Sequence, residues 1–172
     1  MKRAGVLIVA SLFVIGCSSL LWAQEKGERK NIPGARFLRY AAADGLFHVE
    51  AGKLAVSRAY SEDVKKFGQH AIEHHSQIND ELIKLASAKG VTLPKKMTKK
   101  EHEALDKLAK FSGPDFDKAY IEIETSHHTK DLSVFQKEAK DGKDPDVKAW
   151  AAKIVPTIEE HLNVLGDLSK MK

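Results

Sequence analysis

Apolar residues recur with a helical period from about residue 35 onward. Over Ala35 to Tyr60, Leu38, Ala42, Val49 and Val56 fall on one side, with Leu46 and Leu54 alongside, which predicts a first helix. A second starts after Ser61, a residue suited to the N-cap, with Glu62 and Asp63 favourably placed in its first turn. Its stripe is Val64, Phe67, Ala71, Ile78, Leu82 and Leu85. It runs to about Lys89 and stops at Gly90, which can adopt the left-handed conformation that closes a helix. Thr98 with Glu101 forms a capping box and predicts a short helix from Lys99 to about Lys110. Ser112-Gly113-Pro114-Asp115 interrupts the chain. The next long helix spans about Asp115 to Ala139, with Phe116, Tyr120, Ile123, Leu132 and Phe135 inward. After Asp141-Gly142, Asp144 caps a last helix with Pro145 at its first position. That helix carries Val147, Trp150, Ile154, Ile158, Leu162, Leu165 and Leu168. No strand pattern competes, since Val91-Thr92-Leu93 is too short before Pro94.

Four long helices, each with one apolar stripe, can bury those stripes only against each other. The predicted fold is therefore all-α: a four-helix bundle over residues 35–170. A long crossover containing the short helix joins the second and third long helices, the connection found in ferritin-like bundles.

The N-terminal region follows a different pattern. Lys2 and Arg3 precede an almost wholly apolar run from Ala4 to Ala23, and Gln24, Glu25 and Lys26 turn polar. A basic start, apolar centre and polar exit are the marks of an export signal. Two processing routes fit. Val14-Ile15-Gly16-Cys17 resembles a lipobox, in which Cys17 is lipidated and anchors the chain to a membrane. Alternatively, Leu21-Trp22-Ala23 before Gln24 allows cleavage after Ala23. Residues 24–34, polar and basic with Pro33 and Gly34, are expected to form a flexible tether. The expected location is the periplasm or the outer membrane.

Composition narrows the chemistry. The chain has 172 residues, 42% hydrophobic and 30% charged, within the range of a soluble globular domain. A formal charge of +4 gives no footing for a nucleic-acid-binding reading. Removing residues 1–23 takes Lys2, Arg3 and Cys17, the single Cys, so a metal site in the remaining chain must use imidazoles and carboxylates. No phosphate-binding Gly-rich loop, nucleophile elbow or haem-attachment motif is present.

The eight His residues are the unusual feature. Projected at about 100° per residue, His161 lies near the middle of the last helix's apolar stripe, and Pro156, which has no N–H to donate, predicts a kink one turn before it. On the preceding long helix Glu124 is nearly central, with His127 and His128 on either side; Glu124-x-x-His127 has the spacing found in di-metal bundles. His74 and His75 lie equally far from the centre of the second helix's stripe, so spacing does not choose between them. Glu50 stacks in a column with Leu46 and Leu54. His48, His70 and His102 have no evident partners and are expected at the surface. Each long helix thus brings an ionisable group to its inner face near mid-length. Burying such groups unpartnered costs several kcal/mol each, and a shared metal offsets that cost.

These residues resemble a known family. Phe37-Leu38-x-x-Ala41-Ala42-x-x-Gly45 with Glu50, His75-Ser76-x-x-Asn79-x-x-Leu82, Phe116-Asp117-x-x-Tyr120 with His128-x-x-x-Leu132-x-x-Phe135, and Pro156 with His161 are similar to the bacterial domain of unknown function numbered 4142. The resemblance implies a ferritin-like bundle in the cell envelope, over about residues 35–170. It also implies an inner set of Glu50, His75, His128 and His161, with Glu124 as an additional candidate. The second long helix and the last helix lack the second Glu-x-x-His pair of di-iron ferritins, which speaks against iron storage.

Three functions follow as expectations. The first is binding of a transition metal (Zn, Fe, Mn or Cu) at the His/Glu layer. The second is metal-dependent oxidation chemistry on oxygen or peroxide, for which no additional catalytic group is legible. The third is a non-catalytic bundle whose polar layer fixes helix register, with Lys95-Lys96-Met97-Thr98-Lys99-Lys100 meeting anionic lipid or polymer.

Overall fold

A computed structural model describes residues 32–171. The expected export signal, Cys17 and most of the tether lie outside the described residues. Five helices follow in order: α1 (Ala35–Arg58), α2 (Glu62–Ala88), α3 (Lys99–Leu108), α4 (Gly113–Asp141) and α5 (Pro145–Leu168). Among the described residues there is no strand beyond an isolated bridge between Ala59 and Gly113. No described helix is long and apolar enough to cross a membrane.

The helix ends use the expected chemistry. Ser61 Oγ accepts from Asp63 N–H. Thr98 and Glu101 form the full capping box, and the Asp144 carboxylate accepts from the N–H groups of Asp146 and Val147. Gly90 adopts φ 66°, with Val91 N–H donating back to Ala86 C=O at 2.8 Å. That is the Schellman closure, and it tucks Val91 into the core. Helix α4 starts two residues earlier than expected, because Gly113 at φ 62° turns the chain directly into Pro114. Pro156 sits inside α5, which continues helical through it.

The core has two apolar parts. One joins Phe37, Leu38, Leu82, Phe135, Trp150 and Ile154, among others. The other joins Phe47, Phe67, Leu108, Phe116, Tyr120 and Leu165 with their neighbours. Helices α1 and α5 run from the first part to the second, while α2 and α4 run from the second to the first. Hence α1–α2 and α4–α5 are antiparallel pairs, and α2 and α4 are parallel. Parallel helices cannot be joined by a tight turn, so residues 89–112 cross the bundle, with α3 lying against α1 and α4. This is the ferritin-like arrangement.

Helices α1 and α2 cross closely through small residues. A Cβ on Gly52 would stand 2.8 Å from Gly68 O, and one on Gly68 would stand 2.7 Å from Ala55 Cβ. Only glycine at both positions permits this approach.

Candidate metal centre

Between the two apolar parts lies a buried polar layer. Helix α1 supplies Asp44 and His48, α2 supplies His75, α4 supplies Glu124, His128 and Asp131, and α5 supplies His161. All seven are buried, and His48, Glu124, His128 and His161 have no exposed surface.

His48 is the hub. Its Nδ1 is 2.8 Å from Glu124 Oε2, and its Nε2 is 3.1 Å from Asp44 Oδ2 and 3.2 Å from Asp131 Oδ2. Burial works against a charged imidazolium here, but Glu124, Asp44 and Asp131 outweigh it and hold His48 well above the usual histidine range. His48 therefore carries a proton on each nitrogen and donates to three carboxylates. The same contacts, with His127, hold Asp44 well below the usual carboxylate range despite its burial. Burial raises Asp131 to about 6, and the Tyr40 hydroxyl donates to it.

The other buried imidazoles are neutral. Burial pushes His128 down to about 4 and His161 down to about 2, and nearby imidazoles add to the effect. His75 is also held well below its ordinary value by burial and by His48. It stacks on His48 with centroids 4.2 Å apart, and its Nε2 has no hydrogen-bond partner. Glu124 Oε1 is likewise buried and unpartnered. Orphaned buried polar atoms are rare in folded proteins and call for an explanation. One donor atom from each of His48, His75 and His128 lies within 4.8 Å of the others.

The expected ligands divide. His75, His128 and Glu124 come together in the layer. His161 reaches it through His128, with Nδ1 2.9 Å from His128 Nε2. Glu50 does not join them: it is exposed and pairs with Lys53 at 2.7 Å. The cause is helical geometry. Position 50 is about 200° around the helix from position 48, so a helix that buries His48 turns Glu50 outward. His48, expected at the surface, is instead central. The available signal was Asp44-x-x-x-His48 on the Ala/Gly face of α1, a face of small residues that makes a weak apolar stripe. The paired alternatives also separate. His128 enters the layer, while His127 stacks on Phe47 at 4.0 Å and approaches Asp44 at 3.4 Å. His75 is buried, and His74 is only partly so. His102 is exposed, as expected.

The sequence profile of DUF4142, a domain of unknown function, matches residues 23–168. The chain belongs to the DUF4142 family. No curated protein matches it. Among solved structures, this DUF4142 chain is similar to a DUF305 fragment from Deinococcus radiodurans, with 11% identity, 80% of this chain and 95% of that one covered, and a TM-score of 0.70. It is also similar to a DUF305 protein from Streptomyces coelicolor whose name marks it provisionally as secreted, with 15% identity, 75% and 88% coverage, and a TM-score of 0.62. A conserved hypothetical protein from Mycobacterium tuberculosis matches with 14% identity, 78% and 89% coverage, and a TM-score of 0.59. At these identities the likeness establishes the helical-bundle fold of the DUF4142 chain, and the chemistry must be read from its own side chains.

Proposed function

We propose that the polar layer binds one transition-metal ion, with His48, His75 and His128 as nitrogen ligands, Glu124 as the carboxylate, and His161 orienting His128. The observation that carries this reading is the gathering of three buried imidazoles with donor atoms within 4.8 Å, one of them unpartnered. Ligands around a tetrahedral ion with bonds of about 2.1 Å stand about 3.4 Å apart, so closure needs only small side-chain shifts. Charge supports the same reading. Three carboxylates surround one imidazolium, leaving the layer short of positive charge, and a divalent ion replacing the His48 proton supplies it. Mixed imidazole and carboxylate donors suit Zn, Fe, Mn or Cu. The ion would offset the negative charge of the layer and tie together α1, α2 and α4 at mid-bundle, with α5 joined to them through His161 and His128. The basic-then-apolar segment at residues 1–23 supports placing this bundle in the cell envelope, with Cys17 as the lipidation position if the lipobox is used.

The test is elemental analysis of untagged protein, as purified and after incubation with Zn, Cu, Mn or Fe. The reading predicts about one buried equivalent, lost in His75→Ala. Metal well below one equivalent under all conditions overturns it.

A further inference from the structure

Beside the layer, and sharing His161 with it, a second group of imidazoles opens toward the surface. His70 and His74 stand one turn apart on α2, with ring centroids 3.9 Å apart. The His74 ring lies parallel to that of His161 on α5, and its Nδ1 is 3.1 Å from His161 Nε2. One nitrogen from each of His70, His74 and His161 falls within 4.8 Å of the others. His70 and His74 are half-buried, whereas His161 is fully buried. A surface depression of about 390 Å³, lined by Asp63, Phe67 and Asp167 among others, reaches His70, and His74 is itself partly exposed.

We infer that His70, His74 and His161 form a second, solvent-accessible metal site, distinct from the buried layer, that takes a cation favouring imidazole, of the Cu²⁺ or Zn²⁺ class. Two His one turn apart on a helix can hold one ion between them, and the third ligand comes from a neighbouring helix already packed in place. The trio contains no carboxylate, which favours Cu²⁺ and Zn²⁺ over Fe²⁺ and Mn²⁺.

The proton arrangement also suits a ligand role for His161. His128 Nδ1 is 2.9 Å from the Glu124 backbone carbonyl, which can only accept, so Nδ1 bears the proton. His128 Nε2 then accepts from His161 Nδ1–H at 2.9 Å. That leaves the lone pair of His161 on Nε2, the atom nearest His74. A ligating His normally donates its other N–H in this way, which fixes its ring and tautomer. Burial, together with neighbouring imidazoles, also keeps His74 and His161 below their ordinary values and so available as neutral ligands.

The same hydrogen bonds connect the two sites. A cation on His128 Nδ1 in the layer reverses the protons and places one on His161 Nε2, so filling the layer weakens the outer site.

The test is Cu²⁺ titration of the untagged full chain and of H70A/H74A, followed by electron paramagnetic resonance. The wild type is expected to show a class of Cu²⁺ with three nitrogen ligands, and H70A/H74A to lose one equivalent of it. The loss should exceed the ~10–100-fold in affinity that changes to groups behind a ligand cost. Equal equivalents and equal affinity in the two proteins overturn the inference. If the buried layer binds no metal, the wild type still binds one Cu²⁺ and the variant none, so the two readings fail separately. A second measurement needs no variant: substoichiometric Cu²⁺ should broaden the imidazole resonances of His70 and His74 first. Broadening confined to other residues overturns the inference.

Discussion

Replacing His48 with Ala in the metal-free protein tests the electrostatics of the layer. His48 bridges three buried carboxylates at 2.8, 3.1 and 3.2 Å. At an effective dielectric of about 20, each contact near 3 Å is worth about 5 kcal/mol of gross attraction. The cost of dehydrating these groups cancels much of that in the wild type. In the variant the attraction is gone while Asp44, Glu124 and Asp131 remain buried, and removing one partner of a buried ion pair typically costs about 3–5 kcal/mol. For a chain of this size, about 2–4 °C per kcal/mol converts this to a fall of roughly 6–20 °C in the thermal midpoint. The assay is thermal unfolding followed by circular dichroism at neutral pH with a chelator present. A double-mutant cycle with Asp131→Asn separates charge from packing. The side-chain amide introduced by D131N can still accept from Tyr40 but removes one stranded carboxylate, so D131N should harm the H48A protein less than the wild type. A cost for H48A below about 1 kcal/mol, or strictly additive effects in the cycle, would refute the description of His48 as a buried cation.

Three further outcomes follow from the same structure. In chelator, stability should fall steeply on acidification. His75, His128 and His161 have depressed values, so their contribution is present above about 6.5 and is lost as the pH falls toward the folded-state values; the raised Asp131 opposes one of these three between about 6 and 4. The net two protons give roughly 3 kcal/mol per pH unit, and denaturant unfolding that is flat from pH 6.5 to 4.5 would contradict it. Glu50→Ala should change stability by less than about 0.5 kcal/mol, as surface substitutions do, and should leave the metal content unchanged; loss of metal in that variant would restore Glu50 as a ligand. Gly52→Ala should cost about 1–3 kcal/mol by forcing α1 from α2, read from the thermal midpoint, and an unchanged midpoint would contradict the close crossing.

Much of the fold was legible because its signals are local. Thr98 and Glu101, Asp144 and Pro145, and Gly90 each fix a helix end through their own hydrogen bonds or backbone conformation. The stripes of α2, α4 and α5 are built from large side chains and point clearly inward. Helix α1 was harder to read. Its inner face carries Ala41, Ala51, Gly52 and Ala55, whose small side chains allow a close approach to α2 but leave little periodic signal, while Leu46 and Leu54 on its flank drew the eye to Glu50. The existence of a mid-bundle layer was readable from His75, Glu124, His128 and His161. Its centre was not, because His48 gains its place from carboxylates on α4, 76 and 83 positions away. The outer trio was hidden for a similar reason: His70 and His74 acquire meaning only beside His161.

Metal occupancy of the layer can be observed directly. The most direct measurement is an anomalous-scattering map from crystals of the H70A/H74A protein grown with Zn²⁺, which isolates the layer from the outer trio. The expected result is one peak within about 2.1 Å of nitrogens from His48, His75 and His128, with the ion in place of one His48 proton. A layer without a peak, in which His48 still holds Asp44, Glu124 and Asp131, would contradict it.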